Sequence, residues 1–159
     1  MRVSAIGWLF DTLEQVEEEA MLSAMPTHNH PEGIKGAVAT ASAIFLARTQ
    51  GKETMLEAMK SYYPQWKEPR LGENRFDETC QGTMPVVFGI IQKANSFEEA
   101  IRYAIAVGGD SDTIGAIVGG IAEAIWGVPE QLQSTVKSYL PDEMVHIIEQ
   151  LYQKKILLT

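Results

Sequence analysis

The chain is punctuated as a succession of helices, and almost nothing in it alternates as a strand would. Ser96 with Glu99 spells a capping box, and Asp11 with Glu14 spells a D-x-x-E version of it. Pro31 stands where the first turn of a helix tolerates a missing N–H. With Pro26, Gly51, Pro64 and Gly127 as stops, these signals predict helices over 12–23, 31–50, 54–63, 85–95, 96–107, 113–126, 130–139 and 142–153. Val86 to Ile91 is the one ambiguous apolar run, and Pro85 before it and Gln92-Lys93-Ala94 after it favour helix. The expected fold class is all-α, a compact multi-helix bundle. At 159 residues the chain suits one domain, 1–159, with a single core. Residues 64–82 collect Pro64, Pro69, Gly72, Asn74 and Gly82 and read as a long loop, of a length that is often functional.

Two of these helices are unusual. One carries Gly33, Gly36, Ala37, Ala39, Ala41, Ala43 and Ala47; the other carries Gly115, Ala116, Gly119, Gly120, Ala122 and Ala124. A mid-helix glycine costs roughly 1 kcal/mol against alanine, a loss that close backbone approach can offset. Both helices are expected to sit centrally and pack tightly.

The formal charge of -8 disfavours a phosphate backbone or an anionic membrane surface as a partner, so no nucleic acid and no membrane are expected. The apolar stretch from Ile114 to Val128 is short of the roughly 20 residues a span needs and carries Glu123. The N-terminal residues lack the apolar core of a signal peptide. The single cysteine, Cys80, excludes an internal disulfide framework, and a cytoplasmic location is expected.

The sharpest chemical feature is Gly108-Gly109-Asp110-Ser111-Asp112-Thr113. Two glycines let the chain bend, and Asp110, Asp112 and Thr113 then offer hard oxygens within one turn. Hard oxygens suit Mg²⁺, Mn²⁺ or Ca²⁺ rather than zinc. On spacing alone the simpler reading is favoured, that Asp110 or Asp112 is the N-cap of the following helix. An EF-hand is a poor match because Ile114 stands where a fifth-position oxygen is needed. A D-x-D-x-T phosphatase motif fails because Thr113 follows Asp112 directly. A second feature, Thr27-His28-Asn29-His30-Pro31, places two histidines before a helix start. There they could face an anion or simply cap the helix. A third, Thr79 to Pro85, holds Gly82, which permits close approach of a neighbour or ligand. Its Cys80 reads as a small buried hydrophobe rather than a nucleophile.

At these residues the sequence resembles the ADP-ribosylglycohydrolase family, all-α enzymes related to dinitrogenase-reductase-activating glycohydrolase. The run Gly108 to Ile117, continuing through Gly119 to Pro129, resembles the family's C-terminal metal motif. Thr27 to Pro31 with Gly33 and Gly36 resembles its substrate loop, and Met1 to Gly7 resembles the end of a segment that contacts ADP-ribose. The resemblance implies Asp110, Asp112 and Thr113 as metal ligands, with Mg²⁺ or Mn²⁺ as cofactor and two ions in a complete enzyme. It implies His28, Thr27 and Arg2 as substrate-binding residues, to which the close-approach position Gly82 is added, and ADP-ribose or an ADP-ribosylated substrate as the ligand. Family members are longer, and their N-terminal half supplies a Gly-Asp segment, a Thr-Asp-Asp-Thr motif and the acidic catalytic residue. No counterpart of these occurs here, so the resemblance is to the C-terminal half, and no catalytic residue is assigned. It implies a chain that works with a complementary N-terminal half or as a homodimer. The alternative is an inactive ADP-ribose-binding or self-associating remnant.

Overall fold

The computed structural model describes residues 1–157, with side chains described through Lys154. The fold is all-α, and there is no strand among the described residues. The chain divides into two compact units, 1–127 and 128–159. The first holds α1 (Ile6–Leu9), α2 (Leu13–His28), α3 (Pro31–Gln50), α4 (Lys52–Met59), α5 (Cys80–Lys93), α6 (Phe97–Ala106) and α7 (Ser111–Trp126). The second holds α8 (Glu130–Lys137) and α9 (Asp142–Leu157).

Two helices form the centre of the first unit. In α3 every residue from Ala39 to Ala47 is buried, and in α5 every residue from Gly82 to Ile91. A helix buried on all sides has no polar face to give to water, so its neighbours must surround it. Phe88 of α5 sits with its ring 6.1 Å from Tyr63 and 5.7 Å from Trp66, in tilted arrangements. The close packing implied by small residues is met at Gly36 of α3 and Gly120 of α7 but not at Gly115 or Gly119, and α7 is not central, contrary to expectation, since Ala116 is exposed. A side chain on Gly120 of α7 would lie 2.9 Å from Ser4 Oγ and 3.4 Å from Ile44 of α3.

Several boundaries differ from the sequence reading, each for a local reason. Thr12, not Asp11, caps α2, because its hydroxyl accepts from the Gln15 N–H at 3.3 Å. Pro26 does not stop α2, which runs on to His28. Pro85 does not open α5; the helix begins at Cys80, where Thr79 Oγ1 accepts from the Gly82 N–H at 3.1 Å. Each proline deprives a carbonyl four residues earlier of its partner. Those carbonyls belong to Leu22 and Gln81, both exposed residues that water can reach. α1 was not expected at all. It is one turn long, and Arg48 of α3 takes its C-terminal carbonyls, at Gly7 O (2.8 Å) and Phe10 O (2.7 Å).

Ser96 caps α6 as the sequence indicates, with its hydroxyl accepting from the Glu99 N–H at 3.1 Å. Glu99 reaches back one residue further than the standard box, to the Asn95 N–H at 2.8 Å. The irregular segment 64–79 lies on the surface of the first unit but is firmly pinned. Lys67 N–H donates to the Pro85 carbonyl at 3.0 Å, and its own carbonyl occupies the space a side chain on Gly89 would need.

In the second unit no residue of α8 is buried. Val136, Tyr139, Met144 and Ile147 are all more than half exposed. Lys137 and Glu149 form an ion pair at 3.1 Å between its two helices. No described helix is long and apolar enough to cross a membrane.

Candidate functional site

The turn into α7 is built by backbone conformation. Gly108 and Gly109 have φ of 79° and 76°, a left-handed region that costs other residues roughly 1–2 kcal/mol. The loop 64–79 holds this turn from outside. Gly72 N–H donates to Ala106 O (2.8 Å), Asn74 N–H to Val107 O (3.0 Å), and the Asn74 side-chain amide to Gly108 O (3.2 Å). A side chain on Gly109 would fall 2.8 Å from both the Arg75 carbonyl and Asn74 Nδ2.

Asp110 follows at the N-cap position of α7, but its carboxylate makes no capping hydrogen bond. Only its backbone carbonyl caps, accepting from the Ile114 N–H at 3.0 Å. Among the described residues no lysine or arginine ion-pairs with it. The capping explanation therefore does not account for the carboxylate of Asp110. The neighbouring Asp112 is exposed, and its carboxyl is held below the usual carboxylate range by a hydrogen bond with Asp110 and then by the Thr113 N–H at 3.0 Å.

A second group of candidates lies at the end of α2. Arg2 Nη2 donates to the Ser23 carbonyl at 2.8 Å and to Thr27 Oγ1. Thr27 Oγ1 is 2.7 Å from His28 Nδ1. His30 caps α3, its Nδ1 accepting from the Glu32 N–H at 3.3 Å. Close approach at this corner depends on Gly33, where a side chain would meet the His28 carbonyl at 2.8 Å.

These two groups, more than eighty residues apart in the sequence, face one cavity of about 450 Å³. Arg2, His28, Asp110 and Thr113 line it, together with Glu78 and Cys80. Gly36, Ala37, Met84 and Ile117 add apolar lining, and Thr40 lines it with its hydroxyl donating to the Gly36 carbonyl at 2.8 Å. Thr27, Asp112 and Gly82 do not line it. Gly82 makes its close approach to a neighbour within the chain: the Asp77 carboxylate fills the space its side chain would take. That carboxylate accepts from the Thr79 N–H at 2.9 Å and the Thr79 hydroxyl at 2.7 Å, so Gly82, Asp77 and Thr79 together start α5.

Glu78 was not singled out by the sequence, because a lone glutamate in an irregular segment carries no spacing signal. Cys80 was read as buried packing; it is half-buried and lines the cavity, and burial pushes its thiol pKa up. A neutral thiol is a poor nucleophile, in keeping with that reading. Among the described residues no group of three or more His, Cys, Asp or Glu is placed to hold a metal. A smaller cavity of about 330 Å³, lined by Lys67, Arg70, Glu73 and Asn74 among others, contains none of the candidates.

The chain is thus of the class of all-helical proteins that set an arginine and a histidine against an aspartate with a non-capping carboxylate in one cavity. Comparison with known proteins gives that class its family. The ADP-ribosylglycohydrolase family model matches residues 1–157, and the chain belongs to that family. It is 29% identical to an uncharacterised protein of Archaeoglobus fulgidus, over 100% of this chain and 59% of that protein. It is 24% identical to the ADP-ribosylhydrolase ARH3 of Bos taurus, over 98% of this chain and 58% of the relative. Against the Homo sapiens ARH3 it is again 24% identical, over 97% and 57%. The chain therefore spans less than three fifths of the length of these relatives. No solved structure matches it significantly.

Proposed function

We propose that this chain supplies the ADP-ribose cavity and one side of a divalent-metal site for hydrolysis of the bond between ADP-ribose and an acceptor. The observation that carries the reading is the convergence of Arg2, His28, Asp110 and Thr113 on one cavity. Arg2 offers guanidinium donors suited to a diphosphate, and His28 adds a ring N–H. Asp110, Asp112 and Thr113 would hold Mg²⁺ or Mn²⁺. The fit is chemical: three hard oxygens within one turn, with the Asp110 carboxylate unclaimed by capping or ion pairing. When bound, such a cation polarises and orients ligand oxygens. In the overall reaction, water adds at the anomeric carbon as the bond to the acceptor breaks, and the acceptor leaves with a proton. Asp110 and Thr113 position the ribose end, while Arg2 and His28 hold the phosphate end and keep the anomeric carbon in register.

The remaining ligands and the acid–base residue are assigned to a complementary N-terminal part or to a second copy of the chain. An inactive ADP-ribose-binding module is the second reading. It is favoured by a cavity lined entirely from residues 1–117 and by the absence of a three-carboxylate cluster among the described residues. Titration calorimetry with ADP-ribose, with and without Mg²⁺, tests both. Binding that strengthens with Mg²⁺ and falls in Asp110→Asn supports the metal-bearing site. Binding indifferent to Mg²⁺ and to Asp110→Asn leaves the second reading, and no binding at all sinks the two together.

A further inference from the structure

Thr27 does not line the cavity, yet it joins the two residues that bring positive charge and a ring donor to it. We propose that Thr27 is a positioning residue that selects the tautomer of His28.

The argument is one of donor and acceptor count. A guanidinium can only donate, so in the Arg2–Thr27 contact the threonine oxygen accepts. A hydroxyl has one proton to give, and the neighbour in reach of it is His28 Nδ1 at 2.7 Å. The Ser23 carbonyl four residues back, the other local acceptor for a threonine here, accepts from Arg2 at 2.8 Å, whereas no other donor among the described residues claims His28 Nδ1. On this proposal the chain of hydrogen bonds runs one way, from Arg2 through Thr27 to His28. In the neutral imidazole Nδ1 accepts and the proton sits on Nε2. The cavity is then served by donors at both residues. A ring with its proton on Nδ1 would instead offer a lone pair to an oxyanion and repel it. The consequence for ligand binding rests on the ADP-ribose reading; the tautomer does not.

Long-range ¹H–¹⁵N correlation spectra of the ¹⁵N-labelled chain at mildly alkaline pH separate a bare ring nitrogen from a protonated one. The His28 signals are those that His28→Gln removes. The wild type and Thr27→Ser are expected to show a bare Nδ1 and a protonated Nε2. Thr27→Val is expected to shift toward the mixture of a free imidazole and to bind ADP-ribose roughly tenfold more weakly, with Thr27→Ser near wild type. Should Thr27→Val fail to fold, Thr27→Ala carries the same test. An unchanged nitrogen pattern in the variant, or a wild type protonated on Nδ1, overturns the inference whatever the ligand does. A changed pattern with unchanged ADP-ribose affinity overturns its functional half. A changed pattern in a protein whose wild type binds no ADP-ribose supports tautomer selection and sinks the ADP-ribose reading alone.

Discussion

The two sides of the cavity are held in opposite ways. Arg2, Thr27 and His28 are exposed residues tied to one another mainly through side-chain hydrogen bonds. Asp110 and Thr113 are set by backbone: two glycines at positive φ, and a loop whose main chain clamps the turn through Gly72 and Asn74. A side held by side chains can change its chemistry at little cost in stability. A side held by backbone resists changes to the turn itself, although a side chain it carries can be exchanged for one of the same shape.

The sharpest way to break that contrast is Gly109→Val. It puts a β-branched residue at positive φ and drives it into the Arg75 carbonyl, and it is expected to cost about 3 kcal/mol, read as a lowered Tm. A Tm unchanged from wild type would show that the turn is not backbone-determined. Next in size is Asp110→Asn, which keeps the shape of the turn but removes a charge. Its expected effect is at least a tenfold loss of Mn²⁺ affinity by electron paramagnetic resonance, with an unshifted melt, roughly the scale of disturbing a metal site's immediate surroundings.

Asn74→Ala removes one hydrogen bond from the clamp and should cost about 1 kcal/mol. Hydrogen exchange should quicken at residues 107–110 and stay unchanged at the end of α2; equal quickening at both would erase the distinction. The smallest effect expected is alkaline. Tyr62 donates to Glu17 of α2 at 2.6 Å, and burial first, then that hydrogen bond, push its pKa from 10.0 up to about 12. The folded state thus favours the neutral phenol. Its contribution is full below the ordinary value of 10.0 and disappears as pH rises toward about 12. Melts of wild type and Tyr62→Phe should converge across that window, and parallel curves would refute the assignment.

Much of the fold was legible because helix signals are local. Ser96 and Glu99 lie three residues apart, and the hydrogen bond they specify needs nothing else from the chain. The misplaced start of α5 shows the limit. Pro85 is a strong local signal, yet Thr79 caps the helix six residues earlier because Asp77 orients its hydroxyl and Gly82 makes room for Asp77. The one-turn helix α1 has no signal of its own, since Arg48, some forty residues later, satisfies its carbonyls. In the site, Asp110, Thr113 and His28 could be named from spacing and resemblance. Glu78 could not, and neither could it be seen that Thr27, Asp112 and Gly82 do not line the cavity, because which face of a turn looks inward depends on what packs behind it.

By itself, the amino-acid order determined that this chain is helical, that α3 and α7 must approach their neighbours closely, and that a glycine pair delivers hard oxygens at the start of a helix. These follow from backbone preferences that act over a few residues. Only the tertiary structure decided that the Asp110 turn and the end of α2 share a cavity. It also left the Asp110 carboxylate outside the helix cap and turned Thr27 from a wall residue into a link between Arg2 and His28. Those outcomes depend on contacts between segments far apart in the chain, whose geometry is set by how the buried helices α3 and α5 pack.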